Sequence, residues 1–362
     1  MSKLKIGVIF GGMSTEHDVS ISSGTSVIQY LDKDKYEIYP IYVGRDGKWY
    51  EYTKSAIEIK RLEVGATIEE KQEIENVVEY LNKIELFFPV LHGLYGEDGT
   101  IQGFLELLKK PYVGCKVLSS ALSMDKAYTK IVFDRAGINQ AEYLYFKTQK
   151  SKYISVDKNF NEKEVSIEEL CEIVEEQLSY PVFVKPSNSG SSVGISRAEN
   201  EKELKEAIES AGKLDKKVLI EKEIKGREVE CAVLGNDKVE ASCVGEILPA
   251  EKFYTFDAKY KNANSRVVIP ADLPDEVSEE IRKTAIKAFK AVDGSGLSRA
   301  DFFVEDKTGK VLINEINTMP GFTDISMYPK LWEEAGLSYT ELLDKLLFLG
   351  TEEKNSFILF KE

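Results

Sequence analysis

The sequence predicts a mixed α/β (α+β) protein of two or three domains, the first of them of the doubly wound type. With 362 residues the chain is longer than one ordinary hydrophobic core supports. Near its start a β-prone run, Lys5–Phe10, ends at Gly11-Gly12 and is followed by a helical pattern over Val19–Tyr30. Further strands are predicted over Glu37–Val43 and Glu85–Leu91, and this alternation is typical of a doubly wound α/β unit.

The central part of the chain predicts a second α+β unit. A helix is expected over Ser123–Ala136 with Ser123 as its N-cap, and a short strand over 180–185 is closed by Pro186. Ser166-x-x-Glu169 and Asn200-x-x-Glu203 have the pattern of capping boxes at the start of two amphipathic helices. Between these elements the chain is polar and reads as irregular over residues 150–165, where we expect a surface excursion without chemistry.

The last third of the chain predicts a third unit, which begins with a strand over Val218–Glu221. A long helix is expected over Glu276–Val292, because its apolar residues recur at the spacing of one helix face. These patterns together predict domains at residues 1–118, 119–213 and 214–362.

A hairpin in the third unit carries the strongest chemical signal. The β-prone runs 302–304 and 311–313 flank a turn-forming Asp-Lys-Thr-Gly sequence, and a symmetric hairpin places Asp301 opposite Glu315. Because strand side chains alternate, Arg299 shares a face with Asp301, and Asn317 shares one with Glu315. Three oxygen donors and one guanidinium therefore lie on one patch, and such hard donors suit magnesium beside a phosphorylated ligand.

Composition limits the classes of partner. A formal charge of −14 argues against nucleic acid or an anionic membrane as the main partner, because both require clustered cations. The four cysteines lie far apart without metal-binding spacing, so we predict reduced thiols. The first apolar run is too short for a signal peptide or a membrane span, and the predicted location is the cytoplasm.

Two glycine-rich segments predict a site for an anionic ligand. Residues 187–194, mostly serine and glycine, directly follow Lys185, and small residues let backbone N–H groups approach phosphate oxygens. His92, one of two histidines in the chain, follows a strand and is flanked by glycine, where open α/β sheets bind ligands. The dinucleotide fingerprint G-x-G-x-x-G and the P-loop pattern are both missing, which weakens the alternative of a nicotinamide dehydrogenase.

Taken as a set, the motifs of this chain resemble those of D-alanine–D-alanine ligases of the ATP-grasp superfamily. The resemblance extends from Lys5 to about Gly336 and rests on four segments: FGGMSTEHDVS (10–20), HGLYGEDGTIQG (92–103), VKPSNSGSSVG (184–194) and INEINTMPGFT (313–323). It implies a three-domain ATP-grasp architecture, in which two lobes clasp ATP and the N-terminal domain helps to bind the amino acid.

The resemblance also implies roles for individual residues. ATP phosphates would be bound by Lys126, Lys185 and Lys259, the adenine by Glu221, Lys222 and Ile224, and the ribose by Glu228. Magnesium, or manganese in its place, would be held as two ions by Asp301, Glu315 and Asn317. The residues that would bind the two amino acids or act at the reacting centre are Glu16, His92, Ser191, Tyr260, Arg299, Gly321 through its N–H, and Ser326.

The implied reaction joins two D-alanines through a D-alanyl phosphate and releases ADP and phosphate, for peptidoglycan precursor synthesis. The expected protein is a homodimer that acts on small molecules, with a loop over Glu246–Ala263 that closes on the intermediate. Two alternatives stay open: a D-alanine–D-serine ligase on the same scaffold, and a nucleotide-binding regulatory protein without catalysis. An ester-forming D-lactate ligase is disfavoured, because such relatives lack a tyrosine at the place of Tyr260.

Overall fold

Three separate β-sheets with surrounding helices form the described part of the chain. A computed structural model describes residues 3–149, 152–248 and 266–352. The sheets contain five, six and five strands in chain order. The predicted mixed α/β class is therefore confirmed. None of the helices in these ranges is both long enough and apolar enough to cross a lipid bilayer.

The first sheet has a parallel centre, β2–β1–β5, to which β3 and β4 add an antiparallel edge. The inner strand β1 is almost completely buried, as expected for a strand covered on both faces. Its carboxyl end leads into Gly11-Gly12, and that of β5 leads towards His92. The elements are β1 (Leu4–Gly11), α1 (His17–Tyr30), β2 (Tyr36–Val43), β3 (Trp49–Tyr52), β4 (Lys71–Glu73), α2 (Val77–Asn82), β5 (Leu86–Pro89) and α3 (Thr100–Leu107).

The second sheet is antiparallel and has the order β10–β9–β11–β6–β7–β8. Both predicted capping boxes start helices of this unit: Ser166 accepts the N–H of Glu169, and Asn200 accepts that of Glu203. The elements are α4 (Val117–Met124), α5 (Lys126–Ala136), β6 (Tyr143–Gln149), β7 (Lys152–Val156), β8 (Glu162–Val165), α6 (Ile167–Leu178), β9 (Val182–Pro186), β10 (Ser196–Ala198), α7 (Glu201–Leu214) and β11 (Lys217–Lys222).

Two predictions for this unit were wrong. The helix expected over Ser123–Ala136 is two helices, α4 and α5, which break at Asp125 where ψ is 93°. Asp125 rather than Ser123 is the N-cap of α5, because its carboxylate accepts the N–H of Tyr128. The expected irregular excursion over 150–165 contains strands β7 and β8, whose exposed faces are polar and whose Val156 and Val165 are buried.

The third sheet has the order β14–β13–β12–β15–β16. Its long helix α8 places the predicted apolar stripe, including Ile281, Ala285 and Phe289, in the core. Strand β11, which the sequence analysis placed at the start of the third unit, pairs with β6 and β9 and so belongs to the second sheet; the predicted domain boundaries stay predictions. The elements are β12 (Gly226–Gly235), β13 (Glu240–Leu248), β14 (Arg266–Val268), α8 (Asp275–Ala291), β15 (Gly296–Glu305), β16 (Val311–Asn317), α9 (Met327–Glu334) and α10 (Tyr339–Glu352).

One hydrophobic core joins the first sheet to the C-terminal helices. Phe10 and Phe88 of the first sheet share it with Phe322 and with Leu342 and Leu346 of α10. The rings of Phe88 and Phe322 meet edge to face with centroids 5.4 Å apart. Because Phe322 follows β16 by a few residues, this packing fixes the end of the third sheet against the carboxyl ends of the first-sheet strands.

Candidate active site

The hairpin β15–β16 pairs Asp301 with Glu315 as predicted, but it is not symmetric about its turn, since the pairing of Phe302 with Ile313 would otherwise place Asp301 opposite Asn314. Asp301 lies opposite Glu315 and Arg299 lies opposite Asn317, with a bulge directly after Asp301. The Arg299 guanidinium donates from Nε and from a terminal nitrogen to the two Asp301 oxygens, each at 2.7 Å. The Asn317 amide donates to the same carboxylate at 3.1 Å. The four predicted side chains are therefore one cluster.

This cluster fits a divalent cation only with help from a ligand. Among the described residues no group of three or more His, Cys, Asp or Glu side chains is placed to hold a metal. Asp301, Glu315 and Asn317 provide two carboxylates and one amide, which are hard oxygen donors of the kind that magnesium prefers. Magnesium usually completes its shell with waters and substrate phosphates, so the donor set is suitable for a metal that arrives with a nucleotide.

Lys126 brings the serine–glycine loop and the hairpin together. It is the first residue of α5, and its Nζ donates to the Ser189 carbonyl at 2.7 Å. The same Nζ lies 3.5 Å from a Glu315 carboxylate oxygen. This lysine therefore places a positive charge between the loop and the oxygen donors of β16.

Lys185 is held by a buried network of charges. Its Nζ lies 2.5 Å from Glu221, and the other Glu221 oxygen lies 2.5 Å from Lys130. Burial opposes ionisation of Glu221, but the charges of Lys130 and Lys185 outweigh it and lower its pKa to about 2. Glu221 is thus ionised, and its side chain orients Lys185 at the end of β9.

A large cavity lies between the second and third sheets. Its volume is about 850 Å³, which is within the usual range for small-molecule and cofactor sites. Two of the predicted phosphate lysines, Lys126 and Lys185, line it together with the strand-to-loop segment after β11. The predicted nucleotide-binding residues on that segment and on β12 are also in its wall: Glu221, Lys222, Ile224 and Glu228.

A smaller recess, of about 130 Å³, adjoins the large cavity. Both cavities are lined by Lys126, Gly190, Ser191 and Glu315, so they share a wall. The recess contains the predicted residues for the amino acids and the reacting centre that the structure describes: Glu16, His92, Ser191, Arg299, Gly321 and Ser326. A nucleotide-sized space and a space for a much smaller molecule thus meet at one lysine and one carboxylate.

Glu16 lies at the point where the first and second sheets approach each other. The Ser191 hydroxyl donates to its carboxylate, as predicted. Gly93 and Gly190 pass so close that a Cβ on either would lie 2.5 Å from a Glu16 oxygen. Gly93 also has a φ of 72°, a left-handed conformation that favours glycine, and a Cβ at Gly190 would displace the Glu16 carboxylate.

Glu97 is a site residue that sequence reasoning missed. Its two oxygens accept the N–H groups of Gly93, at 2.7 Å, and Met319, at 3.1 Å. Burial and the negative charge of Glu16 raise the pKa of Glu97 to about 8. The signal was present, because an acidic residue in a glycine-rich turn after a strand is well placed to bind backbone N–H groups.

Glu230 and Lys130 were also missed. Glu230 lies opposite Asp301 on the neighbouring strand β12, 2.9 Å from Arg299. It is two residues after Glu228, so the period of a strand places it on the same face. For Lys130 the helical spacing from Lys126 was the available signal, since residues four apart share a helix face.

His92 is buried, and both of its ring nitrogens have protein partners. Nδ1 lies 3.0 Å from the Met319 carbonyl and Nε2 lies 2.9 Å from the Ser23 hydroxyl. Burial lowers the pKa of His92 to about 4, so its ring is neutral at physiological pH. It lines the recess, but its polar atoms contact the protein.

Gly321 and Ser326 lie side by side in the recess. A Cβ on Gly321 would lie 2.7 Å from Ser326 Oγ, and that oxygen accepts the Thr323 N–H at 3.0 Å. The predicted residues Lys259 and Tyr260, and the loop over Glu246–Ala263 beyond residue 248, lie outside the described residues. Those three hypotheses therefore stay predictions.

Comparison with known proteins gives a consistent result over the whole chain. Residues 5–115 match the family model "D-ala D-ala ligase N-terminus" and residues 132–348 match "D-ala D-ala ligase C-terminus". A D-alanine–D-alanine ligase of Acetivibrio thermocellus is 50% identical, with 98% of this chain and 97% of the relative covered. That of Clostridium acetobutylicum is 46% identical, with 98% and 100% covered.

Solved structures agree with these sequence matches. The D-alanine–D-alanine ligase of Coxiella burnetii superposes with a TM-score of 0.80 at 33% identity, covering 99% of this chain and 96% of that one. The VanG D-Ala:D-Ser ligase of Enterococcus faecalis gives 0.79 at 38%, covering 96% and 100%. The Bacillus anthracis D-alanine–D-alanine ligase complexed with ATP gives 0.74 at 29%, covering 98% and 99%. The fold is therefore the ATP-grasp fold, and the chain belongs to the D-alanine–D-alanine ligase family.

Proposed function

We propose that this protein joins two D-alanine molecules to D-alanyl-D-alanine and converts ATP to ADP and phosphate, a step that supplies peptidoglycan precursors. The observation that carries this proposal is the shared wall of the two cavities. A space of about 850 Å³ suits a nucleotide, and the adjoining recess of about 130 Å³ suits a small amino acid. Lys126 and Glu315 lie where the two ligands would meet.

The large cavity would bind ATP through the residues on its walls. Lys126 and Lys185 supply two positive charges for the phosphates, and the buried Glu221 holds Lys185 in place. The backbone of Lys222–Ile224 presents hydrogen-bonding groups to the adenine edge, and Glu228 accepts the ribose hydroxyls. Lys259 and Tyr260 belong to the same proposal, as a further phosphate contact and as part of the closing loop.

A divalent cation, proposed as two magnesium ions with manganese as a substitute, would be held by Asp301, Glu315 and Asn317 beside the phosphates. When bound, it neutralises the charge that develops on the transferred phosphoryl group. Lys126 lies 3.5 Å from Glu315, so the protein directs its own positive charge at the same place.

The residues of the recess would position the first amino acid. Glu16 binds its ammonium, and the Ser191 hydroxyl fixes the orientation of that carboxylate. The carboxylate of the first D-alanine then points at Lys126 and attacks the γ-phosphate, which gives D-alanyl phosphate and ADP. This step turns the carboxylate, a poor electrophile, into an acyl group that carries phosphate as a good leaving group.

The second D-alanine would bind beside Ser326, which contacts its carboxylate. Its deprotonated amine attacks the acyl carbon, and negative charge develops on the carbonyl oxygen. The Arg299 guanidinium and the Gly321 N–H stabilise this oxyanion. Phosphate leaves and the dipeptide is released. The closing loop over Glu246–Ala263 keeps water from the acylphosphate.

D-serine is the second candidate acceptor, because the VanG D-Ala:D-Ser ligase is 38% identical to this chain over 96% of its length. A regulatory protein that only binds nucleotide is disfavoured by Arg299, which lines the recess rather than the large cavity. We also propose that the protein is a homodimer and is located in the cytoplasm.

The test is to measure ATP-dependent phosphate release with D-alanine, L-alanine, D-serine and D-lactate, each alone and paired with D-alanine, and to identify each product by mass. We expect D-alanyl-D-alanine in a 1:1 ratio to phosphate from D-alanine alone. A dominant mixed product with D-serine would make D-serine the preferred acceptor. Nucleotide binding without any dipeptide would contradict the ligase proposal.

A further inference from the structure

The segment Met319–Phe322, named here the turn segment, connects the metal-binding hairpin to the recess. Only Thr318 separates it from Asn317, and it contains Gly321, whose N–H is the proposed oxyanion donor. Hydrogen bonds from the first-sheet unit hold it at three places, although the two parts lie more than 200 residues apart in the chain. Residues of another unit therefore determine the position of this donor.

His92 binds one end of the turn segment. The Met319 carbonyl can only accept, so Nδ1 of the neutral His92 ring carries the hydrogen and donates to it at 3.0 Å. Nε2 then has a free lone pair and accepts from the Ser23 hydroxyl at 2.9 Å. The His92 carbonyl is held in turn by the Ser14 hydroxyl at 2.6 Å. Both ring nitrogens of His92 therefore make hydrogen bonds to the protein.

Ser23 binds the other end of the turn segment. Because its hydroxyl hydrogen points to His92, its oxygen can accept, and it takes the Phe322 N–H at 3.1 Å. Ser23 lies on α1 and is completely buried, so this bond is not shared with solvent. Glu97 supplies the third contact by accepting the Met319 N–H at 3.1 Å.

These three bonds leave one donor of the turn segment for a ligand. Pro320 has no N–H, and those of Met319 and Phe322 are used by Glu97 and Ser23. Within the described ranges the Gly321 N–H has no acceptor, and Gly321 lines the recess. This N–H is therefore available to donate to a ligand in the recess.

We infer that His92 and Ser23, assisted by Glu97, are positioning residues that hold the turn segment so that the Gly321 N–H faces the reacting carbonyl. His92 acts on the turn segment and not directly on the substrate. The inference rests on the proposed function, because it assigns the donor to the second chemical step. Formation of the acylphosphate uses ATP in the large cavity and the first amino acid at Glu16, and neither of these sites includes the three bonds to the turn segment.

Ser23→Ala tests the inference with a matched control on the same helix. Removal of the hydroxyl frees the Phe322 N–H and breaks the link to His92. We expect kcat for dipeptide to fall about 10-fold, less than the 10²- to 10³-fold typical for complete loss of an oxyanion donor. The KM for ATP should not change. Ser22→Ala is the control, because Ser22 is equally buried and its hydroxyl has no hydrogen-bond partner among the described residues.

The distinctive result is the ratio of phosphate to dipeptide. If only the second step slows, acylphosphate accumulates or dissociates and is hydrolysed by water. The ratio of phosphate to dipeptide then rises above 1 for Ser23→Ala and stays at 1 for Ser22→Ala. A purely structural defect would lower the amount of active enzyme and leave the ratio unchanged. That outcome, or a rise in the KM for ATP with an unchanged ratio, would overturn the inference.

His92 provides a graded test. The Asn amide in His92→Asn can reproduce the donor at the position of Nδ1, whereas His92→Ala provides none. We expect Asn to recover at least half of the kcat lost in Ala and to lower the phosphate ratio towards 1. Equal defects in both variants, expressed mainly as a higher KM for the first D-alanine, would make His92 a substrate-binding residue instead. If wild type itself forms no dipeptide, the proposed function fails and not this inference.

Discussion

The two cavities of the active site are built in different ways. In the large cavity the key contacts join neighbouring strands, as between Lys185 of β9 and Glu221 of β11, which pair directly in one sheet. In the recess the contacts join distant parts of the chain: Ser191 with Glu16, and Glu97 with Met319. The nucleotide side can therefore form within the two lobes that clasp it, whereas the amino-acid side exists only after all three sheets have assembled.

This difference has a chemical consequence. The charges of the large cavity are oriented by ion pairs, which tolerate small displacements because they act over several ångströms. In the recess, the segment Met319–Phe322 depends on hydrogen bonds to single backbone groups, which weaken steeply with distance and angle. We therefore expect substitutions on the nucleotide side to change mainly affinity for ATP, and those on the amino-acid side to change mainly the chemical steps.

Glu315→Gln should have the largest effect, because Glu315 lies in the shared wall and serves both cavities. The change removes a charge with little change in shape. We expect turnover to fall by at least ~100-fold, as for other losses of electrostatic stabilisation. Phosphate release across a magnesium titration is the measurement. Asp306→Asn, in the exposed turn of the same hairpin, is the control, and near wild-type release by Glu315→Gln would remove this hairpin from the site.

Arg299→Lys tests the amino-acid side. Arginine reaches both Asp301 oxygens and Glu230 at once, and lysine has no fork with which to do so. We expect kcat for dipeptide to fall about 10- to 50-fold while the KM for ATP stays within about twofold. Arg282→Lys, a partly exposed arginine on α8, serves as the control. If Arg299→Lys weakened only the affinity for ATP, the assignment of Arg299 to the amino-acid side would be contradicted.

Lys130→Met tests the nucleotide side without touching a ligand. Without Lys130 the buried Glu221 keeps only Lys185 as its cation, so it draws that lysine away from the phosphates. We expect the KM for ATP to rise about 10-fold, equivalent to about 1.4 kcal/mol, with an unchanged KM for D-alanine. Lys205→Met, which breaks surface ion pairs of the same unit, should change neither value. Equal increases in both KM values would contradict a role confined to the nucleotide side, whereas a lower kcat with unchanged KM values would indicate a smaller fraction of folded enzyme.

Glu97→Gln gives the smallest effect and sharpens the comparison through pH. The pKa of Glu97 is raised from 4.5 to about 8 in the folded protein. Between these values the folded state holds a proton that the unfolded state has lost, so wild-type stability falls as pH rises from about 4.5 to 8. The variant does not titrate, but its amide nitrogen cannot accept the second N–H, so its Tm starts below that of wild type at pH 5. Relative to wild type, its Tm should then gain a few °C across this window. Thermal melts at pH 5 and pH 8 measure this, with the exposed Glu75→Gln as control. If the Tm values of wild type and Glu97→Gln declined equally between pH 5 and pH 8, Glu97 would not have a raised pKa.

The sequence by itself determined most of the local structure and the chemistry of the site. The turn between two β-prone runs set the pairing of residues 302–304 with 311–313, whereas the pairing of Asp301 with Glu315 also needs the bulge after Asp301, which shifts the register by one residue. The serines and glycines after Lys185 indicated an anion-binding loop, and the capping boxes at Ser166 and Asn200 started their helices as expected. Tyr260 and Lys259 remain sequence-based predictions.

Tertiary structure decided what local patterns cannot contain. The break at Asp125 between α4 and α5 was missed because Ser187 and Lys217, both far away in the chain, bind its carboxylate. Strands β7 and β8 were missed because their polar sequence buries only a few side chains, and pairing with β6 rather than propensity makes them strands. The roles of Glu97, Ser23 and His92 became visible only when the turn segment was placed against them, since hydrogen bonds between distant residues leave no periodic signal in the sequence.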